Sequence, residues 1–318
     1  MAHLYARVDE GDETIDAAGF QRRFEALLAN VTQVVVASER TVYLALLGLF
    51  AEGHVLVEDS PGVGKTLLAK TIAQSIDGEF TRVQFTPDLL PSDITGSSVY
   101  NPQTGQFDFM PGPIFANVLL ADELNRTNPR TQSALLEAMA EGQVTVDGAS
   151  RPLHPPFMVI ATQNPMDSSG TFPLPETELD RFLVRISIGM PSSDDEMEIL
   201  LRSEHEQPEV APVLTCADVR AMQALVRRVR VTVPVKEYLI RLAGFIRAHA
   251  DVRRGVSPRG TVLLQRASQG WAAFQGRDFA TPDDVQAVAS SVLAHRITVE
   301  GQQASQAQAV VQEALESV

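Results

Sequence analysis

The stretch His54-Val55-Leu56-Val57-Glu58-Asp59-Ser60-Pro61-Gly62-Val63-Gly64-Lys65-Thr66-Leu67-Leu68 constrains the fold more than any other part of the chain. Its apolar residues before Glu58 suit a buried strand, and Leu67, Leu68, Ile72 and Ala73 recur at the three-to-four-residue spacing of a helix's buried face. A tight loop must join the two. Gly62 and Gly64 permit backbone angles that a side chain forbids, so successive N–H groups can curl around an anion at the positive end of the following helix. Ser60, Pro61, Gly62, Val63, Gly64, Lys65, Thr66 and Leu67 therefore read as a phosphate cradle. Lys65 would bring a point charge to the outer phosphates, and Thr66 a hydroxyl for the accompanying magnesium ion.

Asp59 stands where such a loop usually begins with glycine. An acid at that point must turn away from the phosphates or it would repel them. A glycine-rich turn that merely ends in Lys-Thr is the bland alternative, and the strand and helix flanks favour the cradle. No third glycine follows at the spacing of a dinucleotide fingerprint.

Composition narrows the function classes. The formal charge of −14 and pI near 4.9 oppose sequence-independent binding to nucleic acid, which relies on Lys and Arg to neutralise phosphates. Arg227-Arg228-Val229-Arg230 is either a local basic patch or a solvated helix end. No apolar stretch approaches the ~20 residues of a membrane span. The lone Cys216 excludes an internal disulfide framework, and the six histidines are scattered with no pair at ligand spacing. The first sixteen residues are polar and acidic, without a secretory pattern, so a cytoplasmic location is expected.

In chain order, residues 1–17 read as a flexible acidic tail. An amphipathic helix runs from Phe20 through Phe24, Leu27 and Leu28 toward Val34, and a second covers Glu39 to Ala51. Strands are expected at Phe80–Phe85, Ala116–Ala121, Phe157–Thr162 and Leu183–Ile188, making five with the His54 strand. Hairpins are expected at about 96–110, across Asn101-Pro102-Gln103-Thr104-Gly105, and at about 142–150. A helix covers Thr131 to Ala140. Five strands separated by helices give a parallel sheet with helices on both faces.

The Ala116–Ala121 run ends in Asp122-Glu123, in the crevice beyond a parallel strand's carboxyl end, where open α/β sheets bind ligands. Asp122 would hold magnesium, and Glu123 would polarise a water attacking the terminal phosphate. Two solvated acids closing a strand are the alternative, disfavoured by the upstream cradle. Asn164 ends the Phe157 strand at the same edge, where its amide either orients that water or opens an Asn-Pro turn.

From Pro191 the pattern becomes all helical, with helices at Ser193–His205, Cys216–Val229, Lys236–Ala250, Pro258–Phe274 and Pro282–Leu293. Thr281, Pro282 and Asp284 form a clear helix start. Arg259 sits at a helix start, where it opposes the dipole. A compensating anion or simple exposure both account for it.

The ordered set Glu58-Asp59-Ser60-Pro61-Gly62-Val63-Gly64-Lys65-Thr66, Gln84-Phe85-Thr86-Pro87-Asp88-Leu89-Leu90-Pro91-Ser92-Asp93, Leu120-Ala121-Asp122-Glu123-Leu124-Asn125-Arg126, Ala161-Thr162-Gln163-Asn164-Pro165, Leu179-Asp180-Arg181-Phe182 and Ser257-Pro258-Arg259 resembles the MoxR family of AAA+ ATPases. The resemblance covers about residues 20–300. It implies a P-loop αβα sandwich with a five-stranded parallel sheet at 18–190, then an all-α lid at 191–318. It also implies ATP and Mg²⁺ bound between neighbours of a homo-oligomeric ring, usually of six. On the matching positions Asp122 and Glu123 become the Walker B pair, Asn164 sensor 1, Arg181 the arginine finger and Arg259 sensor 2. The two hairpins match the helix 2 and pre-sensor 1 insertions. Ala37-Ser38, where relatives often have Gly-Gln, and Ser60, where an apolar residue is commoner, depart from the pattern. The resemblance implies a chaperone-like motor for maturation, metal or cofactor insertion, or assembly of client proteins, with a von Willebrand factor A domain partner. A DNA-directed AAA+ motor and a nucleotide-switch regulator are the competing readings.

Overall fold

The computed structural model describes residues 15–164, 170–204, 210–299 and 304–318. Most of the expected acidic tail, Pro165 of the Asn-Pro pair and His205 at the end of one expected helix lie outside them. Helices α1 (Ala17–Thr32) and α2 (Glu39–Phe50) precede β1 (Val55–Glu58) and α3 (Lys65–Ser75). Then come β2 (Phe80–Gln84), α4 (Pro91–Thr95), β3 (Gly96–Asn101), β4 (Gln106–Pro111), β5 (Val118–Asp122) and α5 (Pro129–Glu141). They are followed by β6 (Gln143–Val146), β7 (Ala149–Pro152), β8 (Met158–Gln163), α6 (Glu176–Leu179) and β9 (Val184–Ile186). The remainder comprises α7 (Ser193–Ser203), α8 (Cys216–Arg228), α9 (Val233–Ala248), β10 (Val252–Arg254), α10 (Pro258–Phe274), α11 (Pro282–Leu293), β11 (Thr298–Val299) and α12 (Ala304–Ser317).

Five strands form one parallel sheet, as the sequence leads one to expect, and their order is β2-β5-β8-β1-β9. Its central strands β5, β8 and β1 are buried on both faces, whereas the edge strand β2 exposes Arg82 and Gln84, and the period-2 alternation sends the central side chains into two apolar layers. Val55, Val57, Val118, Leu120, Met158 and Ile160 enter the layer with α1, α2 and α3. Leu56, Leu119, Ala121, Val159 and Ala161 enter the layer with α5. The hairpins β3–β4 and β6–β7 form as expected.

The region after Pro191 is helical, but not wholly so. Val252–Arg254 pairs antiparallel with Thr298–Val299, strands too short to show alternation in sequence. Helix α12 is additional to the five expected, burying Ala307, Val310, Val311 and Ala314 at helical spacing that its glutamines dilute. The helical region has no separate core: residues of α8 to α12 share one apolar cluster with α1, α2 and α3. Phe24 of α1 stacks on Phe274 of α10 at 4.0 Å, and Phe20 and Phe50 close the same aromatic group. An apolar joint of this kind opposes independent rotation of the lid.

His54 pins the amino edge of the sheet. Its Nδ1 accepts from the Val159 N–H at 3.0 Å, so the ring is neutral and Nε2 donates to the Met139 carbonyl at 3.1 Å. Full burial, partly opposed by the Met139 bond and aided by the Arg259 charge, lowers its pKa to about 4. The unfolded chain therefore binds the extra proton between about pH 4 and 6.5. The stability His54 contributes is complete above pH 6.5 and is lost as pH falls through that window. Urea unfolding should show about 2 kcal/mol less stability at pH 5 than at pH 7.5 from this group. Equal stability at the two pH values would contradict the neutral, buried assignment.

Candidate functional site

The phosphate loop lies between β1 and α3 with Gly62 at φ +88° and Gly64 at φ +92°. A Cβ on either would meet nothing within 4 Å, so these glycines serve backbone angle rather than room. Six helices, α1, α2, α5, α7, α8 and α10, satisfy a first-turn N–H with an oxygen of the residue preceding them. Helix α3 has Gly64 there and no such cap. Its first N–H groups are thus left for an anion.

Two hollows meet at the loop. A cleft of about 390 Å³ is lined by Gly62, Gly64, Lys65, Thr66, Asp122, Glu123 and Asn164, joined by Arg82 and Gln84. A more apolar cavity of about 450 Å³ runs from Val34–Ser38 past Gly62 and Leu67 to Ile188–Ser192 and α7. They share Gly62, Gly64 and Leu67, which suits a ligand with phosphates at one end and a flat apolar body at the other.

Asp59 does turn away from the cradle. Its carboxylate accepts from Ser187 Oγ at 2.6 Å and from the N–H groups of Ile188 at 2.6 Å and Gly189 at 3.2 Å. Its backbone oxygen accepts from Lys65 Nζ at 3.0 Å. Bonds to a charged acceptor contribute about 1.5–3 kcal/mol each, enough to hold the acid on the β9 side of the loop. Asp59 thereby ties the phosphate cleft to Ile188 and Gly189 of the apolar cavity.

Asp122 is buried, its Oδ1 accepting from Thr162 Oγ1 at 2.6 Å and its Oδ2 from Arg82 Nη2 at 2.6 Å. Glu123 takes a left-handed backbone, φ +56°, at a cost of about 1–2 kcal/mol. Its N–H donates to the same Thr162 hydroxyl at 2.9 Å, while its carboxylate accepts from Gln84 Nε2 at 2.6 Å and Arg126 Nη1 at 3.0 Å. The strain is held by neighbouring strands and aims the second acid into the cleft. Arg82, Gln84, Arg126 and Thr162 escaped the sequence reading. Gln84 pairs in register with Asp122 because β2 lies beside β5, an adjacency that no local pattern encodes.

Arg181 and Arg259 are not in this cleft. Arg181 lies just before β9, whose first residues pair with the start of β1, and Leu183 N–H donates to the His54 carbonyl at 2.8 Å. Arg259 is near enough to His54 to lower its pKa, and it lines a separate hollow with Arg227, Leu263, Arg266 and Gln269. Both cations are thus at the amino edge of the sheet, roughly 13 Å of strand away from the phosphate loop.

Residues 54–184 match the ATPase family associated with various cellular activities (AAA), and residues 245–317 match the AAA lid domain. The chain is 46% identical to YeaC of Bacillus subtilis, over 91% of this chain and 92% of that protein. It is 38% identical to the chaperone MoxR1 of Mycobacterium tuberculosis, over 86% and 75% of the two chains, and 30% identical to MoxR of Paracoccus denitrificans, over 86% and 88%. The chain belongs to the MoxR family of AAA+ ATPases. A solved structure from Cytophaga hutchinsonii, described as a candidate ATPase, matches this MoxR-family fold with a TM-score of 0.88 at 34% identity, over 95% and 96% of the chains. Family membership carries nucleotide binding with it. The departure at Ser38 has a structural use: Ser38 caps α2, accepting from the Thr41 N–H at 3.1 Å, while lining the apolar cavity.

Asp59→Gly removes the acceptor of three bonds. It is expected to lower the unfolding free energy by about 2 kcal/mol or more, measured by urea titration, and to weaken binding of a fluorescent ATP analogue. A variant as stable as the parent would show that these bonds contribute nothing.

Proposed function

We propose that this MoxR-family protein hydrolyses ATP with Mg²⁺ in sites shared between adjacent copies of a ring, about six in number, and acts as a chaperone-like motor on client proteins. The observation that carries this reading is the division of charge. Each chain's cleft gathers Lys65, Thr66, Asp122, Glu123 and Asn164, whereas Arg181, whose guanidinium donates to the Leu136 carbonyl, and Arg259, near His54, lie outside it. A chain supplies those two cations to a nucleotide only by presenting them to a neighbour.

The residues of the cleft fit the expected groups. The uncapped start of α3 and Lys65 would take the phosphates, and the Thr66 hydroxyl with Asp122 would hold the metal. When bound, Mg²⁺ supplies charge that offsets the negative phosphate oxygens. Glu123 would accept a hydrogen bond from the attacking water and draw its proton, while the Asn164 amide holds that water in line. Glu123 must first exchange at least one of its bonds to Gln84 and Arg126 for the water. Arg181 of the neighbouring copy would stabilise charge spreading over the transferred phosphoryl group.

The likeness to the MoxR family is what supports maturation, metal or cofactor insertion, or assembly of a client, reached through a von Willebrand factor A domain protein, as the work of this motor. The M. tuberculosis relative is named as a chaperone, which supports that reading.

In phosphate-release assays Glu123→Gln should retain ATP binding and lose about 100-fold or more in turnover. Lys65→Ala should lose nucleotide binding itself. Undiminished turnover by Glu123→Gln would overturn the assignment of the attacking-water site.

A further inference from the structure

Arg181 is held by a buried ionic joint that neither the sequence motifs nor the cleft accounts for. Its neighbours Asp180 and Phe182 are both gripped by Arg296, which lies three residues after α11. Arg296 has a side chain 1% exposed, and Asp180 is 13% exposed. Arg296 Nε donates to Asp180 Oδ1 at 2.9 Å, Nη2 to the Asp180 carbonyl at 3.3 Å and also to the Phe182 carbonyl, and Nη1 to the Leu183 carbonyl at 3.3 Å. The other carboxylate oxygen, Asp180 Oδ2, accepts from Ser257 Oγ at 2.9 Å. Ser257 also caps α10, two residues before Arg259. Room for the guanidinium comes from Gly260, where a Cβ would lie 3.1 Å from Arg296 Cδ and 2.9 Å from Val256 Cγ1.

The same segment is fastened a second time on its amino side. Glu176 of α6 accepts from Arg254 of β10 at 2.8 Å and from Thr298 of β11 at 2.5 Å. The β10–β11 ladder and the end of α11 thus grip α6 and the turn into β9 from two points, with Arg181 between them.

A buried arginine with one carboxylate and several backbone carbonyls is costly to desolvate, and apolar packing would serve stability as well. What the ionic joint adds is direction. A planar guanidinium bonded to the carbonyls of Asp180, Phe182 and Leu183 fixes the path of the chain on both sides of Arg181. We propose that Arg296, acting through Asp180 and seconded by Ser257, is a positioning residue that sets the presentation of Arg181, and through the α10 cap that of Arg259, to the neighbouring copy. The inference rests on the reading of Arg181 as a cation used across the interface. It makes the helical region of one chain a determinant of the chemistry in the next.

The test uses the full chain. Asp180→Asn keeps the shape of the joint and removes its charge, and Arg296→Lys keeps a charge and removes the fork. Arg181→Ala is the reference. Each is assayed alone and mixed with an equal amount of Glu123→Gln, whose own site is dead but whose Arg181 is intact. Both joint variants are expected to lose about 10-fold or more in kcat with KM for ATP changed by less than about 3-fold, a partial version of the loss from removing an arginine finger. Mixing should raise turnover per competent site several-fold, for the joint variants and for Arg181→Ala alike. Unfolding of one joint variant leaves the other to decide. Normal kcat in a folded joint variant, or a loss that mixing fails to restore while Arg181→Ala is restored, would overturn the inference. Failure to restore Arg181→Ala would overturn the shared-site reading, and the inference with it.

Discussion

A helix start left without a cap is the interaction on which the rest of this structure depends. The backbone N–H groups at the head of α3 have no side-chain partner, and Gly62 and Gly64 hold the preceding loop in left-handed conformations. Such an arrangement is unfavourable unless the surroundings hold it. Here β1 is hydrogen-bonded between β8 and β9, and Leu68, Ala69, Ile72 and Ala73 bury the far side of α3. The Asp59 carboxylate then bridges from the loop to the exit of β9. The acid that looks like a defect in the motif is thus a tie between the phosphate end and the apolar end of one groove.

The parts of the site that sequence discloses are those encoded locally. The 54–68 stretch shows its strand, turn and helix in adjacent residues. The apolar run before Asp122 marks a central strand because both its faces meet core. Asn164 follows the same logic at the end of β8. Arg82, Gln84 and Thr162 could not be read this way, since each acts on an acid across a strand boundary and depends on the order β2-β5-β8. Ser257, Asp180 and Arg296 are farther apart still, and only the packing of α10 and α11 against the turn into β9 brings them together. The ladder β10–β11 was hidden by its brevity, and α12 by its weak apolar stripe. The shared core between α1, α2 and the lid helices also escaped, because long-range contacts leave no mark on periodicity.

The sheet separates two sets of charge. Lysine and the acids gather at the carboxyl edge, while Arg181 and Arg259 occupy the amino edge. A rigid sheet cannot bring its own edges together, and the aromatic joint of Phe20, Phe24, Phe50 and Phe274 opposes swinging the lid across as a separate body. Completing the constellation within one chain would require undoing one of these cores. Completing it between chains requires only apposition of opposite edges, repeated until a ring closes. On the proposed reading, assembly is what would complete the site.

The most direct test of that claim is the mass distribution of Glu123→Gln by native mass spectrometry, with and without Mg-ATP. The account predicts a closed oligomer populated in the presence of nucleotide, reduced when Arg181→Ala is added. A protein that remains monomeric with Mg-ATP, while the wild type hydrolyses ATP as a monomer at the same concentration, would contradict it.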